Sequence, residues 1–177
     1  MKLFAQRFET PYGDMLIAVD ESGALNRLVL PNEHGRWAAE IVAKHYDIVD
    51  DPVHTATVCA AVLTQLAEYF AGERRVFKID LMPHGTPFQL SVWYALQTIP
   101  YGHTISYRDL AERIDHPTAM RAVGHANGAN PIPIVLPCHR VIGSDGGLAG
   151  FGGGLELKAA LLSLEGVKVG SQLSFAF

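Results

Sequence analysis

The chain has 177 residues, 49% of them hydrophobic and 18% charged, with a net charge of −4. That composition excludes a disordered or fibrous protein and leaves room for one domain or two small ones with a sizeable core. The two cysteines, Cys59 and Cys138, cannot supply a disulfide framework or a four-cysteine zinc site.

Charge appears as early as Lys2 and Arg7, too soon for a secretory h-region. No apolar run reaches the length of about 18 residues that a membrane span needs. The expectation is a soluble, cytoplasmic protein whose thiols stay reduced. Residues 1–85 hold 8 Lys+Arg against 12 Asp+Glu, and residues 86–177 hold 6 against 6. All the excess acid therefore lies in the first part. A neutral second part can still bind a polyanion through a local basic patch, with a shallow salt dependence. Charge alone does not point to nucleic acid.

In chain order, residues 2–8, 15–19 and 25–30 read as three strands of a meander, with turn chemistry at Pro11-Tyr12-Gly13-Asp14 and Glu21-Ser22-Gly23. Residues 36–45 read as a short helix, and Asp50-Asp51-Pro52 as a loop. Residues 57–70 carry a helical stripe of Val58, Val62, Leu66, Tyr69 and Phe70, with Cys59 as plain core. Residues 76–81 read as a further strand, and Pro83-His84-Gly85 as a linker. The histidines His34, His45 and His54 have no second ligand type at metal spacing, so no metal is expected.

The second part begins with Thr86-Pro87, an N-cap followed by proline at the first helical position. The helix then covers residues 88–98, with Phe88, Val92 and Leu96 on one face. Ser106-Tyr107-Arg108-Asp109 has the form of a capping box before a helix over 107–114. A second helix over 118–126 has a face of small residues, Ala119, Ala122, Gly124 and Ala126, interrupted by Arg121. Two short helices and a tight turn suggest a helix-turn-helix. The apolar run 133–136 reads as a buried strand that delivers Cys138 to a loop. A glycine-rich segment (143–154) and a last helix over 155–164 follow, with Glu165 at its C-terminus. A carboxylate there is disfavoured by the helix dipole and calls for a partner.

The stretch Pro137-Cys138-His139-Arg140-Val141 is where chemistry concentrates. A thiol becomes a nucleophile as the thiolate, and a nearby histidine can take its proton. Side chains adjacent in sequence do not face each other on a helical turn, so a bridging water is expected between Cys138 and His139.

Residues 86–167 closely resemble the O6-alkylguanine-DNA alkyltransferases, the direct-reversal repair proteins. The matching pieces, in one order, are Ile99-Pro100-Tyr101-Gly102, Ile105-Ser106-Tyr107, Arg121-Ala122-Val123-Gly124, Asn130-Pro131, the Pro-Cys-His-Arg-Val stretch, Leu161-Leu162 and Glu165-Gly166. The resemblance implies an α/β protein. Residues 1–85 would form a small α+β, ribonuclease-H-like support domain. Residues 86–177 would form a mostly helical DNA-binding and alkyl-transfer domain.

It further implies that Cys138 attacks the alkyl carbon of a flipped base and that His139 takes the thiol proton through a water. Glu165 would orient His139 and stabilise it as an imidazolium, and Tyr107 would protonate the leaving guanine. Arg121 would enter the base stack from the minor groove, with Ala119, Ala122 and Gly124 permitting close approach. Val141, Phe151 and Gly152 would line the base pocket, and Asn130 would brace the nucleophile loop. Phe151 stands where tyrosine is common in the family, and Gly152 where serine sometimes occurs.

The implied partner is duplex DNA carrying O6-alkylguanine, met by a monomer without membrane or cofactor. Each protein would repair one lesion, because a thioether has no bond that water cleaves under mild conditions. Adduct size and O4-alkylthymine are left open. Two rivals are a hydrolytic cysteine enzyme, which would turn over repeatedly, and a lesion-binding module, which would not need Cys138.

Overall fold

The structure, a computed structural model, describes residues 1–168, which fall into two compact units: Met1–His84, and the chain from Gly85 onward. In the first, β1 (Lys2–Thr10) pairs antiparallel with β2 (Gly13–Val19), and β2 with β3 (Leu25–Val29). Thr10 closes the first turn, its Oγ1 donating to the Gly13 carbonyl at 2.7 Å and accepting from the Tyr12 N–H at 3.1 Å. The meander read from the sequence is present.

A short strand, β4 (Asp47–Ile48), lies parallel to β1 and completes the order β3-β2-β1-β4. Two residues are too few for a period-2 pattern to show in sequence. On one face Leu3, Leu16, Ala18 and Val29 pack with Trp37 and Ile41 of α1 (His34–Ala43). Alternation turns Phe4, Met15, Ile17 and Val19 to the other face, where α2 (Pro52–Phe70) packs against β1 and β2.

Helix α2 begins five residues earlier than the stripe from residue 57 suggests. Asp51 is its N-cap, accepting from the His54 N–H at 3.0 Å, and Pro52 holds the first helical position. Cys59 is fully buried, and burial pushes its thiol up to about 11, as an inert core residue requires.

The strand expected over 76–81 is reduced to a single bridge, Leu25 with Leu81. The Gln65 amide takes a strand's place upstream, accepting from the Lys78 N–H at 2.7 Å and donating to its carbonyl at 2.9 Å. A side-chain amide satisfies one peptide unit but propagates no ladder.

In the second unit α3 (Pro87–Leu96), α4 (Tyr107–Arg113) and α5 (Met120–Gly128) pack on one another. Both predicted caps form: Thr86 with Gln89 on α3, and Ser106 with Asp109 on α4. Trp93, which the sequence reading leaves off the buried face, is the main anchor. It is 2% exposed, and its Nε1–H donates to the Ala126 carbonyl at 2.7 Å, tying α3 to α5. β5 (Ile105–Ser106) pairs parallel with β6 (Val141–Ile142), so the start of α4 is registered against the residues after Cys138. α6 (Leu155–Leu164) ends in a Schellman arrangement, with Gly166 N–H bonded to Ser163 and Val167 N–H to Leu162. Gly166 takes the left-handed conformation this needs, at φ 79°.

Candidate active site

The chain enters the site through a closed turn, which corrects the expected strand over 133–136. Leu136 N–H returns to the Ile132 carbonyl at 2.9 Å, Pro133 bridges Leu136, and Ile134 sits at φ 75°. Asn130 spans this turn. Its Oδ1 accepts from Ile132 N–H at 3.0 Å and its Nδ2 donates to the Leu136 carbonyl at 2.7 Å. The amide supplies what a neighbouring strand would have supplied, so the apolar run folds back on itself. Asn130 therefore braces the segment that leads to Cys138, across the turn as well as next to its own backbone.

Cys138, His139 and Arg140 form one 3₁₀ turn, with Cys138 4% exposed and His139 fully buried. The partner that the C-terminal position of Glu165 called for is double. Glu165 Oε1 lies 2.8 Å from His139 Nε2, and Arg140 closes on the same carboxylate with Nε to Oε2 and Nη2 to Oε1, both at 2.9 Å. Gly102 N–H adds a bond to Oε2 at 3.1 Å. Burial by itself would raise the Glu165 carboxyl, but the bonds from His139 and Arg140, with their charges, hold it at about 2.

An ionised carboxylate can only accept, so His139 must present Nε2–H to it. His139 Nδ1 then carries the lone pair, and it is buried without a hydrogen-bond partner among the described residues. Burial lowers the imidazole's affinity for a second proton; Glu165 opposes this, while Arg140 and Lys158 reinforce it. In the resting protein His139 is thus biased toward the neutral form, the state that can accept a thiol proton. Arg140 takes up much of the carboxylate's charge.

The Ile99-Pro100-Tyr101-Gly102 segment closes over this end of α6. Arg140 Nη1 donates to the Ile99 carbonyl at 2.6 Å, Tyr101 OH to the Leu164 carbonyl at 3.0 Å, and the Arg140 guanidinium lies 5.8 Å from the Tyr101 ring centre. Gly102 is required here: φ is +75°, and a Cβ would stand 3.0 Å from the Glu165 carbonyl oxygen.

Tyr107, the first residue of α4, reaches toward Cys138. Burial raises its phenol, the negative charge of a Cys138 thiolate adds to this, and a hydrogen bond from Asn127 opposes both. Its hydroxyl points at the carbonyls of Ala149 and Gly150, at 3.4 and 3.5 Å. Lys158 is fully buried, its Nζ donating to the Val141 carbonyl at 2.6 Å and the Ala149 carbonyl at 2.5 Å. Burial lowers its ammonium to about 8, with the Cys138 charge acting the other way. The glycine-rich segment is thereby pinned rather than open. Gly143 N–H bonds the Gly147 carbonyl at 2.8 Å, and Asp145 accepts from Gly147 N–H at 2.9 Å.

Phe151 is half-buried, its ring edge-on to His139 with centres 6.5 Å apart, and Gly152 is exposed. Val141 is fully buried and its carbonyl is engaged by Lys158. On α5, Arg121 and Ala122 are exposed and Ala119 is the half-buried N-cap residue. Gly124 and Ala126 do not belong with them as one small outward face. Gly124 faces the Tyr107 ring, and Ala126 is 4% exposed under Trp93.

The structure thus gathers Cys138, His139, Glu165 and Tyr107 about one buried centre and leaves Arg121 on the outer surface of α5. It adds Arg140, Lys158 and Asn127, which the sequence reading left without roles. Among the described residues, no group of three or more His, Cys, Asp and Glu side chains is placed to hold a metal, and no helix is long and apolar enough to cross a membrane.

A helical unit that carries a cysteine beside a buried His–Glu pair defines a class, and the family model described as "6-O-methylguanine DNA methyltransferase, DNA binding domain" matches it over residues 87–167. The methylated-DNA–protein-cysteine methyltransferase of Methanosarcina acetivorans is 43% identical over 159 residues, 90% of this chain and 96% of that protein. The constitutive one of Bacillus subtilis is 45% identical over 159 residues, 89% of this chain and 92% of that protein. The crystal structure of Mycobacterium tuberculosis OGT in complex with DNA aligns with a TM-score of 0.78 at 41% identity, over 92% of each chain. The chain belongs to the methylated-DNA–protein-cysteine methyltransferases.

Proposed function

We propose that this protein repairs O6-alkylguanine in duplex DNA by moving the alkyl group irreversibly to its own Cys138. The observation that carries the assignment is the buried 2.8 Å contact between His139 Nε2 and Glu165, with the adjacent cysteine in the same turn. Glu165 fixes the imidazole tautomer, so Nδ1 takes the Cys138 proton through a water. The thiolate attacks the alkyl carbon, the bond from that carbon to O6 breaks, and the electron pair leaves with guanine. Tyr107 donates a proton to the departing base and recovers one from the imidazolium, so the thiol proton ends on guanine. The thioether is stable, and one protein clears one lesion without a cofactor.

In this reading residues 1–85 support the working unit and residues 86–177 bind DNA as a monomer. Arg121 stands exposed on α5, where it can enter the minor groove and occupy the place of the extruded base, at a cost in stacking that its own contacts offset. Ala119 and Ala122 keep that face thin. Gly124 serves the same helix from the inside, by seating Tyr107. The base lies against Phe151, with the Val141 and Gly152 backbone at its edge. Intact mass after incubation with O6-methylguanine duplex tests the assignment: one methyl group is gained, and it maps to Cys138. Repeated turnover by a single protein, or methyl on another residue, would reject it.

A further inference from the structure

Lys158 is a buried cation with no task in the transfer scheme. It is the fourth residue of α6 and is fully buried. Burial penalises an ammonium, and the N-terminal end of a helix disfavours positive charge. A methionine would fill the same space without either cost, so stability alone does not account for a lysine here. What the ammonium has and methionine lacks is its donors. Nζ gives one N–H to the Val141 carbonyl at 2.6 Å and another to the Ala149 carbonyl at 2.5 Å. Both are short, charge-assisted bonds.

The two acceptors come from different walls of the site. Val141 opens β6, directly after the turn that carries Cys138, His139 and Arg140. Ala149 lies in the glycine-rich segment, between two turns that close on themselves. Gly143 N–H returns to the Gly147 carbonyl at 2.8 Å upstream, and Gly154 N–H to the Phe151 carbonyl at 3.0 Å downstream. Residues 148–150, between those turns, have no regular secondary structure. The Ala149 carbonyl is gripped by Lys158, with the Tyr107 hydroxyl more distant at 3.4 Å. Phe151, whose ring stands edge-on to His139, follows two residues later.

We infer that Lys158 is a positioning residue for base recognition: by tying the Ala149 carbonyl to the Val141 carbonyl from within α6, it fixes the span that presents Phe151 to the extruded base. It acts through the loop backbone rather than by contact with the base. The inference rests on the reading in which Cys138 accepts the alkyl group while the base lies against Phe151. A loosened span should cost affinity for the lesion and spare the hold on undamaged DNA, which depends on α5.

The test uses the full chain with Lys158→Met. Single-turnover methyl transfer is measured against the concentration of O6-methylguanine duplex, and binding of the same duplex without the lesion is measured alongside. Losing two charge-assisted bonds should raise the half-saturating concentration of lesion duplex by about tenfold, with undamaged duplex bound within about twofold of the original. The ammonium also favours a negative sulfur, so alkylation of Cys138 by iodoacetamide, which bypasses the pocket, reads that separate effect. Saturated transfer should fall no further than the iodoacetamide rate does; a larger fall would place Lys158 in the chemical step instead. A rise in half-saturating concentration below about threefold would overturn the positioning role, and so would equal loss of affinity for both duplexes. If Lys158→Met does not fold, Lys158→Gln carries the same measurements, since its shorter side chain cannot span both carbonyls. Absence of transfer by the unaltered protein would instead overturn the underlying function, so the two failures are distinct.

Discussion

Glu165 does two jobs that compete. The hydrogen bond from His139 sets the imidazole tautomer, and the fork from Arg140 draws off the negative charge that would otherwise favour a second proton on that ring. The imidazole is consequently a base held below the ordinary histidine range, with burial the largest cause. The acid limb of the transfer rate against pH should therefore have its midpoint below the ordinary histidine value of about 6.5. A midpoint at or above that value would show that Glu165 prevails and His139 rests protonated.

Replacing Glu165 by Gln leaves one acceptor oxygen where several donors converge and strips the buried Arg140 of its counter-charge. Loss of one partner of a buried pair costs about 3–5 kcal/mol, to be read from urea unfolding at neutral pH. At this scale sequence shows half of the centre. Cys138, His139 and Tyr107 stand in recognisable local motifs, and a glutamate closing a helix announces its need for a partner. Arg140 and Lys158 stay hidden, because lone cations read as solvated surface and their partners lie 25 and 17 residues away.

Helix α5 works on both faces. Outward, Arg121 is the single large cation on a surface otherwise made of small or neutral groups. Arg121→Ala should slow repair of duplex substrate by about tenfold or more while leaving reaction with free O6-alkylguanine within about twofold. Equal loss on both substrates would remove the base-flipping role. Inward, the spacing to α4 is set by Gly124. A methyl there meets the Tyr107 ring at ordinary contact distance, and alanine favours helix by roughly 0.5–1 kcal/mol. Gly124→Ala should therefore raise the melting temperature slightly with near-normal transfer. Gly124→Val should displace the ring and slow transfer several-fold, as single-turnover rates would show.

Elements were legible where they carry their own punctuation. The Thr86 and Ser106 caps and the Pro11–Gly13 turn are such cases. The strand expected over 76–81 failed because Gln65, far away in sequence, takes the pairing role. The strand expected before Cys138 failed for a related reason. An apolar, β-branched run reads as extended until Asn130 is seen to bridge it.

For the whole molecule, acid should be the sharper stress. Glu165 falls from 4.5 to about 2 on folding, so its contribution is complete above pH 4.5 and fades as pH drops toward 2. The shift corresponds to on the order of 3 kcal/mol. Lys158 acts in the opposite window. Lowered from 10.5 to about 8, it makes the folded state shed a proton before the unfolded one, so stability rises as pH climbs through that interval. Urea midpoints across both ranges would test this, and Glu165→Gln should flatten the acid slope. A slope that survives the substitution would place the titrating group elsewhere. The division near residue 85 was read from the Pro83-His84-Gly85 linker and from the extent of the family resemblance, since helical periodicity is found on both sides of it.

The closed turn ahead of the cysteine has one more implication. A strand can slide along its neighbour by two residues and keep its faces, whereas a loop locked at both ends by a single asparagine has nowhere to slide. The sulfur's place along the chain is therefore dictated by a count of residues from Asn130, and lengthening that interval by one would swing the nucleophile out of line rather than shift it along a groove.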